Sequence, residues 1–99
     1  MIDLLSKIYV DLNEQVIRKV PHDKEILSTR VIKEHTKICE YCFNIKSSNK
    51  DKNYMLEFKV SIKYILFILN YFVSKKIINN DIYKIIEKEY KDLYYIINP

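Results

Sequence analysis

The chain has 99 residues, 48% of them hydrophobic and 30% charged, with 17 Lys and Arg against 13 Asp and Glu for a net charge of +4. That leaves room for one domain with one core, and the charge is too high for a membrane bundle or a low-charge fibre. Glycine is absent, so the phosphate-cradling loops G-x-x-x-x-G-K-S/T and G-x-G-x-x-G are excluded, and nucleotide binding by those routes with them.

Residues 2–20 carry Leu5, Tyr9, Leu12, Val16 and Val20 at spacings of 4, 3, 4 and 4. That row predicts a helix. The stretch 7–12 also alternates, with Ile8, Val10 and Leu12 on one side, so a strand is the competing reading. The helix is expected to break near Asp11–Asn13, where Asn13 can cap a second segment, NEQVIRKV. Pro21 ends it, because proline disfavours helical geometry in the residue before it. Residues 24–38 predict another helix, with Leu27, Val31, His35 and Ile38 inward and Arg30, Lys33, Glu34 and Lys37 on the opposite side.

The period then changes. In LEFKVSIK (56–63), Leu56, Phe58, Val60 and Ile62 alternate with Glu57, Lys59, Ser61 and Lys63; upstream, Tyr41, Phe43 and Ile45 alternate with Cys42, Asn44 and Lys46. The polar SSNKDKN (47–53) lies between them. Two period-2 runs around a turn segment predict a β-hairpin. In a chain without glycine, turns that need a positive φ are expected at Asn or Asp, in 47–53 and in NND (79–81).

Residues 64–77 return to helix, with Ile65, Leu69 and Phe72 in one row. The last helix is expected over 81–97, with Ile82, Ile85, Ile86, Leu93, Ile96 and Ile97 inward and a turn with a cap at Asn79–Asp81. Its Glu87 and Lys91 stand at i,i+4 in the favourable order. The longest apolar run, 64–73, is far short of the roughly 20 residues a spanning helix needs. The N-terminus has Asp3 and no basic region ahead of an apolar stretch. With two Cys, a reduced, cytoplasmic protein is the expectation.

Ile (17), Lys (15), Tyr (9) and Asn (8) dominate, and Lys outnumbers Arg 15 to 2. Their codons are rich in A and T, so the composition reads as an AT-rich coding sequence from a low-GC bacterium, its plasmid or phage, or a virus. Raw lysine count therefore carries little weight, and the distribution carries more. Residues 1–17 have a net charge of −2, residues 18–63 of +5 and residues 64–99 of +1.

The order helix, helix, hairpin, helix, with NEQVIRKV, PHDKEIL and STRVIKEHTKI ahead of the hairpin, resembles the winged helix-turn-helix family over about residues 12–62. The resemblance implies a mainly helical α+β fold with a β-hairpin wing, followed by C-terminal helices over 63–99 that serve for dimerisation. It also implies a recognition helix at 28–38 and a wing loop at 46–53. Double-stranded DNA would then be contacted by Ser28, Thr29, Arg30, Lys33 and Lys37 on the helix and by Lys46, Asn49, Lys50, Lys52 and Asn53 on the wing. Arg30 is suited to guanine by its bidentate fork, the lysines to phosphates, and Asn49 and Asn53 to base edges or sugars. The function so implied is a sequence-specific DNA-binding protein, a regulator or an accessory factor of a mobile element in plasmid transfer (conjugation), partition or transcription. Tyr83, Tyr90, Tyr94 and Tyr95 crowd the last helix and suggest a homodimer contact.

His35, Cys39 and Cys42 form H-x3-C-x2-C, with His22 as a conceivable fourth zinc ligand. No tight turn surrounds the cysteines, so they read as core, with neither metal nor cofactor. Glu87, Glu89 and Asp92 stand among Lys84, Lys88 and Lys91 and read as a solvated face. No enzyme is expected. The alternative is an all-α four-helix bundle over 2–20, 24–46, 54–77 and 81–97. In that form the chain, with LNYFVSKKIINNDIYKIIEKEY (69–90), resembles the small cytoplasmic immunity proteins that protect producers of class II bacteriocins. That resemblance implies a basic face toward a membrane or a membrane receptor complex and a Tyr-rich end toward the partner. No membrane insertion is expected in either case.

Overall fold

A computed structural model describes residues 1–47 and 52–98, with side chains over 1–43 and 55–98. It contains four α-helices: α1 (Ile2–Gln15), α2 (Glu25–Ser47), α3 (Lys52–Ser74) and α4 (Asn80–Ile97). Two short 3-10 turns, Ile17–Lys19 and His22–Lys24, join α1 to α2. No strand occurs among the described residues.

The expected β-hairpin wing, and the α+β class with it, is therefore corrected to an all-helical fold. The hairpin signal in 56–63 came from two helical rows read as one alternation. Phe58, Ser61, Ile65, Leu69 and Phe72 form a buried row, while Leu56, Val60, Tyr64 and Phe67 form an exposed row at spacings of 4, 4 and 3. Offset by two residues, the rows mimic period 2 where they overlap. Upstream, Cys42 is buried while Phe43 is exposed, the reverse of the inward side the strand reading requires. The segment NEQVIRKV is the end of α1 and a 3-10 turn rather than the first helix of a helix-turn-helix. The recognition segment 28–38 lies inside a longer helix. Of the wing-loop positions, Asn49 and Lys50 lie outside the described residues; Lys46, Lys52 and Asn53 lie within α2 and α3, with side chains outside those described.

The helices pair around a ring: α2 with α3, α3 with α4, α4 with α1, and α1 with α2. This sets α1 diagonally across from α3. Arg30 lies over Tyr64, Ser61 bonds Glu34 and Tyr41 faces Glu57. Numbers rise on α2 as they fall on α3, so the pair is antiparallel. A short link at 75–79 and the meeting of Phe58 and Lys59 with Tyr94 make α3 and α4 antiparallel as well. The core comprises Leu5, Ile8, Leu12 and Val16 from the first segment, Val31, Ile38 and Cys42 from α2, the inner row of α3, and Ile82, Ile86, Tyr90 and Leu93 from α4.

The ends obey local chemistry. Asn79 caps α4, its Oδ1 accepting from the Ile82 amide at 2.9 Å. At the end of α3 the Ile77 amide reaches back to Phe72 O at 2.9 Å and the Lys76 amide to Val73 O at 3.0 Å. This is a Schellman closure, and Lys76 takes the left-handed conformation with φ of 60°. Asn79 was the expected residue for such a turn, but its φ is −89°; its side chain serves better as the cap.

Candidate functional site

The two central turns of α2 present Thr29, Arg30, Lys33 and Lys37 together on one exposed face. They line an open trough of about 900 Å³ that Tyr64 borders from α3. Ser28 does not join them: it is buried, and its Oγ donates to Glu25 O at 2.8 Å. Arg30 and Lys37 are engaged within the chain. The Arg30 guanidinium lies 4.5 Å from the Tyr64 ring centre, and its Nε is 3.8 Å from the Glu34 carboxylate. Lys37 Nζ is 3.2 Å from the same carboxylate.

Glu34 is buried, contrary to its expected place on the solvated side. Its other oxygen accepts from Ser61 Oγ at 3.5 Å. A buried carboxylate needs such partners because its own desolvation is costly. Arg30 is thus held by a stacking ring and an acid, which competes with its presentation to a guanine edge. No sequence signal marked Glu34 as buried, because its i−4 and i+3 cations read equally well as surface pairs.

A second candidate lies between α3 and α4. Lys59, Lys63 and Lys91 rim a groove of about 420 Å³ with Ile62, Leu66, Tyr90, Tyr94 and Tyr95 as walls. Lys59 Nζ sits 5.3 Å from the Tyr94 ring centre, and its hydrogen bond lowers the Tyr94 phenol from its ordinary value. Glu87 also borders this groove and accepts from Tyr83 Oη at 3.4 Å. The groove is a cationic and aromatic recess with a hydrophobic floor.

Of the H-x3-C-x2-C residues, His35 and Cys42 are buried in the core and Cys39 is half-buried against it. Both ring nitrogens of His35 are used, Nδ1 at 2.8 Å from Tyr90 Oη and Nε2 at 3.2 Å from Leu5 O. A carbonyl only accepts, so Nε2 carries the proton and Tyr90 donates to Nδ1. Burial lowers the His35 pKa. Burial pushes the Cys42 thiol up to about 12 and raises Cys39 as well, so both stay protonated at neutral pH. His22 is exposed and pairs with Glu25 at 3.2 Å. It precedes α2, whose rise puts Cys39 about 20 Å further along.

Glu89 is a second buried acid that the sequence did not mark. It packs on α1 facing Asp11, and burial together with that neighbouring carboxyl raises it to about 7, against the pull of Lys7. No helix among the described residues is long and apolar enough to cross a membrane. Comparison of the chain with models of known protein families, with curated proteins and with solved structures finds no match.

Proposed function

We propose that the chain is a binding protein of the bacteriocin-immunity type: a basic, cytoplasmic four-helix protein that engages a partner and performs no chemistry of its own. The observation that carries this reading is the continuation of helix through 52–63. It gives the ring of four helices that the immunity resemblance implies and removes the wing on which the DNA-binding resemblance rested. The lysine-rimmed Tyr groove between α3 and α4 supports it, since aromatic side chains with cationic neighbours favour an interface. The engagement of Arg30 by Glu34 and Tyr64 weighs against base readout through α2.

The test is expression in a bacteriocin-sensitive low-GC bacterium challenged with a panel of class II bacteriocins. The expected result is a rise of tenfold or more (roughly 1.4 kcal/mol in binding terms) in the inhibitory concentration of at least one. No protection against any, joined to duplex-DNA binding that falls steeply with salt, would replace this reading with the DNA-binding one.

A further inference from the structure

Exposed apolar side chains occur on every helix, but on α3 they line up. Leu56, Val60, Tyr64 and Phe67 are 61%, 53%, 41% and 75% exposed, and their spacing puts them in one row about 16 Å long. On α4, by contrast, charge interrupts such a row: Lys88 and Asp92 stand between Ile85 and Ile96. Four large side chains of this exposure present roughly 500 Å² of mostly apolar surface, the size of the largest patch on a typical monomer and one that is often functional.

Charge borders the row on both sides. Lys59 and Lys63 run along the edge toward α4, while Arg30, stacked on Tyr64, and Lys37 stand on the edge toward α2. The acids near this face are Glu57, which faces Tyr41, Glu34, which is buried beneath Arg30 and Lys37, and Glu87, across the groove from Lys59 and Lys63, where Lys91 offsets it. The diagonally opposite segment, residues 1–17, has a net charge of −2.

We propose that this outer face of α3 docks the protein on an anionic lipid bilayer, peripherally and without insertion. An apolar helix face flanked by lysines is the arrangement that lies in the headgroup region, with Leu and Phe entering the acyl boundary and the long lysine stems reaching anionic headgroups. A second copy of the chain suits the face poorly. Two-fold packing would set Lys59 and Lys63 against their own counterparts, and roughly 500 Å² per partner falls short of the roughly 800 Å² of a standard interface. The row is a convex ridge, which a deformable bilayer accepts without a matching groove. The proposal stands on this surface and not on the immunity reading.

The experiment uses the full chain and vesicles of either pure phosphatidylcholine or phosphatidylcholine with phosphatidylglycerol. Co-sedimentation should show at least about tenfold tighter binding to the anionic vesicles at low salt, weakening as salt rises. The chain has no tryptophan, so Phe67→Trp supplies a probe whose emission should shift blue on binding. Leu56→Ser with Phe67→Ser should weaken binding about tenfold or more. Lys59→Glu with Lys63→Glu should remove the preference for anionic lipid. All four positions are exposed, so circular dichroism should stay unchanged. The control Ile85→Ser with Ile96→Ser, exposed on α4, should bind as the parent does. Equal distribution between the two vesicle types, absence of binding to both, or equal loss from the α3 and α4 variants would overturn the proposal. So would a dimer in free solution that Phe67→Ser dissolves, since the second copy would then own the face. Failure of the unsubstituted chain to bind vesicles, with its bacteriocin protection intact, would sink this inference alone.

Discussion

Two rows of large apolar residues run along α3, and they differ in what covers them. Phe58, Ile65, Leu69 and Phe72 are fully enclosed by α2 and α4, while Leu56, Val60, Tyr64 and Phe67 face outward. Composition is nearly the same in both, so apolar content alone does not report burial. The inner row makes the fold. The outer row contributes little to it and is left for something outside the chain.

Substitution at matched positions puts that contrast to the hardest test. Phe72→Ala should destabilise by about 3–5 kcal/mol through lost burial and a residual cavity, whereas Phe67→Ala should stay within about 0.5 kcal/mol. Urea unfolding measures both, and comparable losses would erase the distinction between the rows.

The same contrast can be sharpened with charge on α4, where Glu89 is buried and Asp92 is exposed. Because the folded Glu89 carboxyl is raised to about 7, the folded state holds its proton more tightly than the unfolded chain does. Stability from this group is present below the unfolded value near 4.5 and is lost as pH rises to about 7. Glu89→Gln, which mimics the protonated form, should therefore stabilise by about 1–3 kcal/mol at pH 8 and by little at pH 4. Asp92→Asn, which loses the exposed pair with Lys88 and a minor repulsion on Glu89, should change stability by about 0.5 kcal/mol or less at either pH. Thermal melts across pH resolve the two.

A more modest gain is expected just past the C-terminal end of α3, beyond the inner row. Lys76 holds a left-handed conformation that favours glycine, so Lys76→Gly should stabilise by about 1 kcal/mol. A measured loss would show that the closure of α3 tolerates the lysine at no cost.

Much of the helical layout was legible because it follows local rules. The inward row of 64–77, the cap at Asn79 and the inward Ile82, Ile86 and Leu93 all emerge from spacing and side-chain chemistry. Ile85 and Ile96 were expected inward and are exposed, since an apolar residue at a helical position does not reveal whether a neighbour covers it. The reading of 56–63 as a strand failed for a related reason. A helix carrying an uncovered apolar row imitates alternation, and the feature that misled the pattern is the one that carries the docking proposal. Glu34 and Glu89 were illegible because their burial depends on α3 and α1, which lie distant in sequence. Arg30 stands on an exposed helix face, as its spacing implied; its engagement by Tyr64 and Glu34 depends on the register between α2 and α3.

Three helices converge on one imidazole. His35 receives a proton from Tyr90 on one side and gives one to the backbone of α1 on the other, so the ring fits its place only in the singly protonated tautomer. Its lowered pKa means that acid favours the unfolded chain, starting below about 6.5. Protonation would put a second donor on Nδ1, where the Tyr90 hydroxyl already donates, while the Nε2 bond to Leu5 persists, so acid sets α2 against α4 at this ring and leaves the tie to α1 in place.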